Sequence, residues 1–526
     1  MPEDPAWWQR GVVYQIYPRS FFDTSGDGVG DLAGIRARVD YLDWLGIDAV
    51  WLSPIFPSPD ADLGYDISDY RDVHPAFGSL SDLDDLIAVL HERGIRLVLD
   101  LVPNHTSDRH PWFLESRSAD TARHDWYVWR EGHADGSPPN NWVSYFGGPA
   151  WDYLDPPGKW YLHSFAPGQP DLNWDNPDVR AAIHDVMRFW LDRGVDGFRV
   201  DVLWLLGKDP ELRDNPADPD WHQGLPSRLR FHRAHSEDGP DAHERARSLR
   251  AVVDEYPDRV MIAEVVLPPN RAVAYHGEAL DEAHLPHNFA LTEIPEWSAK
   301  TVRAVVEEYE ALLPPGAWPN WLLGDHDFPR FASRVGADRV RVIHMLLLTL
   351  RGTPTWYYGD ELGMPDAVIP ASREGVKDPQ AAEGPGLDRM PVRTPMQWAV
   401  APHAGFSDVE PWLPIASDDP ELTVERQRAD PGSVLSHFRA LVGLRKELPA
   451  LAVGAYRSLP APSDVFSFER RHPDGQVQVH LNFGGHPRDV ELPPSGEVLL
   501  STAGEARADG AHLTLRGYEG VIVAER

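Results

Sequence analysis

Cysteine is absent from all 526 residues. Its absence excludes disulfides, thiolate metal sites and a cysteine nucleophile. It leaves the compartment open, because cytosolic proteins need no cysteine either. Basic residues are scarce: 49 Lys and Arg stand against 82 Asp and Glu, a net charge of −33. That charge repels nucleic acid and anionic membrane surfaces, so neither is expected as a partner, nor is a polyanionic substrate. Long apolar runs are missing as well. The longest, near MLLLTL (345–350), is far too short to span a bilayer. The acidic start MPEDPAWWQR lacks the basic-then-apolar pattern of a signal peptide. The expectation is a soluble, cytoplasmic protein without a membrane partner. Nothing in the composition speaks to oligomeric state.

What is present suffices for large cores. Hydrophobic residues make up 42% of the chain, and its length implies two or three domains. The first two hundred residues repeat a short β-branched run, a polar loop and an amphipathic helix. VVYQIYP (12–18), AVWLSP (49–54) and RLVLDLVPNH (96–105) read as strands. DLAGIRARVDYLDWLGI (31–47) reads as one helix, and LSDLDDLIAVLHERGI as another, with Ser81 as N-cap and Gly94 as stop. Near-continuous apolar strands in βαβα order imply a parallel sheet covered by helices. The rhythm breaks over 104–174, which is rich in Trp, Pro, Gly and His. So long an irregular segment reads as a domain inserted over a functional site. It resumes with a helix over 178–195 and the strand GFRVDV (197–202). VMIAEVV (260–266), NFALT (288–292), WLLGD (321–325) and TWYYGD (355–360) bring the strand count to eight. The fold class expected is α/β: a (β/α)8 TIM barrel (1–103 and 175–447) with an inserted loop-rich domain after strand 3 (104–174). Short alternating segments after 448 predict a C-terminal antiparallel β-sandwich (448–526).

The loop DTSGDGVGDL (23–32) raises the question of a metal. It fails the EF-hand template: Ser25 is a poor ligand at the third position, and Gly34 stands where a bidentate Glu belongs. Asp23, Asp27 and Asp31 remain, four residues apart. They either hold a hard divalent cation or cap turns and the next helix.

In a (β/α)8 barrel the chemistry gathers at the carboxyl ends of the strands. Reading those ends gives Asp100 and His105, Asp201, Glu264, and then Asp325, His326 and Asp327. Buried acids with few lysines near them are expensive to desolvate unless used.

The blocks DLVPNH, QPDLNW, GFRVDV, IAEVV and GDHDFPR resemble, in order, the signatures of glycoside hydrolase family 13, the α-amylase family. GYDISDY (64–70) and RTPMQW (393–398) resemble its α-glucosidase and oligo-1,6-glucosidase branch. The resemblance implies Asp201 as nucleophile, Glu264 as general acid/base and Asp327 as the third carboxylate. It implies that Arg199 holds Asp201 ionised, that His105 and His326 donate to the bound glucose, and that Tyr65 and Phe165 wall the ring. It implies an ion pair of Asp66 with Arg393 closing the pocket floor. It further implies a retaining, exo-acting α-glucosidase acting on short oligosaccharides, with no cofactor for catalysis. A structural Ca2+ or Mg2+ is implied at Asp23, Ser25, Asp27, Val29 (through its carbonyl) and Asp31, with Ser25 in place of the usual Asn. Two departures stand out. Asp325 replaces Asn before the His-Asp pair; it either raises the pKa of Asp327 or makes the bonds Asn would. Val202, after the nucleophile, leans towards α-1,6 or broad linkage acceptance. A transglucosylase or a sucrose- or trehalose-acting relative with the same site is the alternative. A non-catalytic family member is disfavoured because the three carboxylates are kept.

Overall fold

The computed structural model describes residues 5–370, 378–384, 386–493, 495–504, 508–509 and 511–525. Eight parallel strands close a barrel in chain order: β1 (Val13–Ile16), β2 (Ala49–Leu52), β3 (Arg96–Leu101), β4 (Gly197–Val200), β5 (Val260–Ala263), β6 (Leu285–Asn288), β7 (Asn320–Leu322) and β8 (Thr353–Tyr357). Closure is made by β1 on β8, with Val13 opposite Thr355. The strands are short and buried on both faces, so their apolar runs carry no alternation. At Gly197 a Cβ would lie 2.1 Å from the Val260 carbonyl oxygen, so only glycine lets β4 approach β5 this closely.

The helices follow the periodic residues with two corrections, and the sixth strand needs a third. The helix Leu80–Glu92 buries Leu83, Leu86, Ile87 and Leu90. Its N-cap is Ser79 rather than Ser81, because Ser79 and Asp82 form a reciprocal capping box. The single helix expected over 31–47 is two, Leu32–Ala37 and Val39–Leu45. They part at Arg38, whose guanidinium stacks 3.8 Å from the Phe22 ring and 4.5 Å from Trp398. The sixth strand ends where NFALT was expected to begin: Asn288 accepts from the Ala290 N–H and turns 289–291 into a 3-10 helix.

Beyond β3 the chain forms a three-stranded antiparallel sheet, Trp129–Arg130, Lys159–Leu162 and Trp151–Leu154, with Lys159–Leu162 in the middle. Trp142, Ala150, Trp151 and Leu162 give it a small core of its own. Lys208 fastens this region to the barrel: Nζ lies 3.0 Å from Asp171 and donates to Asn104 at 2.9 Å and to the Leu205 carbonyl at 2.6 Å.

At the C-terminus a five-stranded and a three-stranded antiparallel sheet share a core that includes Val465, Val490, Leu513, Leu515, Val521 and Val523. Fully buried Arg470 ties this unit to the barrel by donating to the Thr349 carbonyl (2.6 Å), and it also donates to Gly454 of its own unit (2.9 Å). Among the described residues no helix is long and apolar enough to cross a membrane.

Candidate active site

The carboxyl ends of the barrel strands open into a cavity of about 730 Å3, lined among others by Tyr65, His105, Phe165, Asp201, Glu264 and Asp327. Residues that belong to five different loops or strand ends in the sequence thus face one space. Arg199, His326 and Arg393 do not line it. They lie beneath it, fully buried, and hold the groups that do.

Arg199 is the centre of this support. It sits on β4 two residues before Asp201, hence on the same strand face, and opposite Asp100 of β3 in the sheet register. Its Nη1 donates to Asp201 at 2.6 Å and to Asp100 at 3.0 Å, while Nη2 lies 2.9 Å from Glu264. One guanidinium therefore gathers Asp201 and Glu264 side by side. Burial pushes the Asp201 carboxyl well up, and the neighbouring Glu264 adds to this against the pull of Arg199. Arg199 thus pulls Asp201 towards ionisation, while burial and the neighbouring Glu264 oppose it. Burial likewise pushes Asp100 up to about 6, although Arg199 and Tyr65 both pull it down.

Asp327 is held in the opposite way. Burial opposes its ionisation, but Arg389 and Arg393 keep its carboxyl well below the usual range. Arg393 Nη2 is 2.6 Å and Arg389 Nη1 3.1 Å from the same oxygen. Arg389 also binds Asp62 at 2.7 Å and Asp378 at 2.7 Å. The expected Asp66–Arg393 pair does not form. Asp66 spends its oxygens on the Ser58 hydroxyl and the N–H groups of Ala61 and Asp62, which shape its own turn. The acid that reaches the cavity is Asp62, and its partner is Arg389. Asp325 does not raise Asp327 either. Asp325 is itself the carboxyl pushed up, to about 8, by burial and by Asp327.

His326 joins the two halves of the floor. Its Nδ1 accepts from Gln15 Nε2 at 2.8 Å, which leaves the ring proton on Nε2, 2.6 Å from the Tyr65 hydroxyl. Tyr65 passes its own proton's bond to Asp100 at 3.0 Å and stacks on the His326 ring at 5.2 Å. Burial holds His326 far below the ordinary histidine value, so the ring is neutral. His105, lowered to about 4 by burial, is neutral too and meets the Phe165 ring at 5.1 Å.

The loop 23–31 does not gather its acids. Asp23, Asp27 and Asp31 do not bring three carboxylate oxygens within 4.8 Å of one another. Asp23 accepts from the Ser25 and Ser407 hydroxyls and from the N–H groups of Gly26 and Gly28. Asp31 accepts from Thr24, from Ser25 N–H and, as N-cap, from Gly34 N–H. Asp27 accepts from the Val29 N–H. With both oxygens of Asp23 and Asp31 taken by protein donors, this arrangement does not fit the expected divalent ion. The glycines serve close packing instead: a Cβ at Gly30 would lie 2.2 Å from the Pro18 carbonyl oxygen, and one at Gly34 1.9 Å from that of Phe22.

Three residues of the site escaped sequence reading. Asp62 and Asp66 flank the same Tyr65, and Arg389 and Arg393 stand four apart in one segment, so the pattern offered two pairings and gave no phase. Asp378 lies in a stretch without periodicity. The rings of Tyr145, Phe146 and Trp204 that line the outer cavity carried no signal among so many aromatics.

This barrel, with its acids at successive strand ends, is the frame of a carbohydrate-cleaving enzyme, and comparison with known proteins agrees. The family model for the alpha amylase catalytic domain matches residues 15–454. A probable alpha-glucosidase of Rhizobium meliloti (strain 1021) is 41% identical over 510 residues, covering 93% of this chain and 92% of that protein. An oligo-1,6-glucosidase of Parageobacillus thermoglucosidasius is 38% identical, covering 94% of each. Among solved structures, the alpha-glucosyl transfer enzyme XgtA superposes with a TM-score of 0.93 at 39% identity, over 99% of this chain and 100% of its own. The trehalulose synthase MutB does so with 0.89 at 34%, over 99% and 100%. The chain belongs to the alpha-amylase family and is a glycoside hydrolase.

Proposed function

We propose that the protein is a retaining, exo-acting α-glucosidase that releases α-glucose from the non-reducing end of short α-glucosides. The observation that carries the reading is the pairing of Asp201 and Glu264 on one guanidinium, at the floor of a cavity that the Asp62–Arg389–Asp327 cluster closes. Retention needs two close carboxyl groups, one to attack and one to donate a proton. A closed end favours terminal sugars over mid-chain binding.

Glu264 gives its proton to the glycosidic oxygen as Asp201 Oδ attacks the anomeric carbon. The bond to the leaving group breaks and a β-glucosyl ester forms on Asp201. Glu264, now ionised, takes a proton from water. That water attacks the anomeric carbon, expels Asp201 and yields α-glucose. Asp327, ionised through Arg393 and Arg389, faces the charge that develops on the ring. Tyr65, His105 and Phe165 wall the sugar. The family needs no cofactor for this chemistry.

A second reading, transfer of the glucosyl group to another acceptor, is favoured by the outer lining, where Phe146, Trp204, Val266 and Phe328 offer apolar surface to an acceptor. The likeness to a transfer enzyme and to a trehalulose synthase supports keeping it. Val202, lining the cavity beside Asp201, supports α-1,6 or broad linkage acceptance. Proton NMR of maltotriose and isomaltose digests tests the proposal. Glucose appearing first as the α-anomer is the expected result. β-Glucose first would overturn the retaining mechanism; in a maltopentaose digest run beside them, maltose and maltotriose appearing before glucose and maltotetraose would overturn the exo mode.

A further inference from the structure

The mechanism above leaves Asp325 unused, although it stands beside Asp327 just past the end of β7. Its Oδ1 accepts the Asp327 N–H at 2.8 Å, whereas its Oδ2 is buried and has no hydrogen-bond partner. A carboxylate is an acceptor at both oxygens and needs donors at both when buried. A neutral carboxyl is cheaper to leave so: one oxygen accepts, the other carries the proton, and an unpartnered O–H costs far less to bury than an unpartnered charge. An asparagine would divide its two ends in the same way. The surrounding charges point the same way. Asp327 lies two residues on, Glu264 faces Asp325 from the end of β5, and Arg199 of β4 is the cation that acts on it. That guanidinium is already shared by Asp100, Asp201 and Glu264. His326 beside it and His287 on β6 are both held neutral by burial and supply no compensating charge.

We propose that Asp325 is a positioning residue that carries a proton in the working enzyme, and that loss of this proton sets the alkaline limit of catalysis. Neutral Asp325 fixes the backbone of Asp327 without repelling its carboxylate. Ionised, it places a second buried negative charge beside Asp327 and facing Glu264, drawing Asp327 off its arginines. The upward shift to about 8 produced by burial and by Asp327 locates the change.

The inference rests on the glucosidase reading in its activity arm only, and a stability arm stands apart from it. The experiment compares the wild-type enzyme with Asp325→Asn from pH 5 to 10. kcat/KM is read on p-nitrophenyl α-glucoside, and Tm at each pH without substrate. A carboxyl whose folded pKa is raised makes the fold progressively less stable as pH climbs from the unfolded value towards the folded one. The Tm advantage of Asp325→Asn is therefore expected to widen between pH 5 and about 8 and to stay level above. The alkaline limb of kcat/KM is expected to move up by on the order of one pH unit in the variant. A Tm difference independent of pH would overturn the proton assignment, and superimposable limbs would overturn its role in catalysis. If no α-glucoside is cleaved at any pH, the function reading fails while the Tm comparison still decides the proton.

Discussion

Val202 turns into the left-handed region (φ 41°, ψ 46°) and donates its N–H to the Glu264 carboxylate at 3.1 Å. A β-branched residue rarely adopts this conformation, which costs on the order of 1–3 kcal/mol. Here the turn carries the chain straight from Asp201 to a contact with Glu264, so a single strained residue links the two carboxyls. The same side chain lines the cavity and is 5% exposed.

Replacing Val202 by Thr exchanges a methyl for a hydroxyl at that wall with the shape kept. Turnover of isomaltose relative to maltose is expected to fall about tenfold, a difference of roughly 1.4 kcal/mol between the two transition states. Initial rates of glucose release from the two disaccharides, measured side by side, decide it. An unchanged ratio means that linkage choice is made by the outer loops.

Asp201→Asn separates chemistry from stability. Activity is expected to fall by on the order of 10^4-fold, since no nucleophile remains. Tm at pH 7 is expected to rise. Asp201 is pushed well up by burial and by Glu264, so its ionisation costs stability above its unfolded pKa, and a neutral amide removes that cost. Calorimetry beside the rate assay checks both signs. A lower Tm with the fold kept means the Arg199 contact is worth more than the repulsion.

The two acids that flank Tyr65 give opposite phenotypes. Asp62→Asn is expected to lower kcat/KM by about 10^2-fold with little loss of Tm, because it takes one partner from Arg389 at the cavity while Asp378 and Asp327 still neutralise that guanidinium. Asp66→Asn is expected to act on Tm first, because its carboxylate organises the turn. Arg389→Met strips Asp378 and Asp327 of a shared cation. Both carboxyls are held low in the fold, so their stabilising contribution is present above the unfolded pKa of about 3.9 and is lost as pH falls below it. The Tm deficit of this variant is therefore expected to be full at pH 7 and to shrink below pH 4.

The residues legible in advance are those whose chemistry is tied to regular structure. Asp100, Asp201 and Glu264 sit at or just beyond apolar strands, and an apolar run followed by an acid is a local signal. The sixth strand was misplaced because LPHN has neither β-branching nor length, and only its pairing with β5 and β7 makes it a strand. Asp62, Asp378 and Arg389 come from loops, and what selects them is the meeting of distant segments across the barrel mouth. No period in the chain reports that meeting. The loop 23–31 shows the converse: a ligand-like spacing of acids whose oxygens are spent on the loop's own donors.

That loop supplies a last prediction. Asp31 caps the helix Leu32–Ala37 through Gly34 N–H and also receives the Thr24 hydroxyl and the N–H groups of Thr24 and Ser25. An N-cap is worth about 1 kcal/mol, towards about 2 where, as here, the Gly34 N–H that loses its acceptor is buried; the exposed Thr24 and Ser25 donors turn to water. Asp31→Ala is therefore expected to lower Tm by several degrees, and by the same amount in protein treated with a chelator, because the partners lost are amides and a hydroxyl of the chain itself. A loss that appears only in calcium-containing buffer would mean that Asp31 acts through an ion, and the hydrogen-bonded arrangement would then describe the loop before the ion enters.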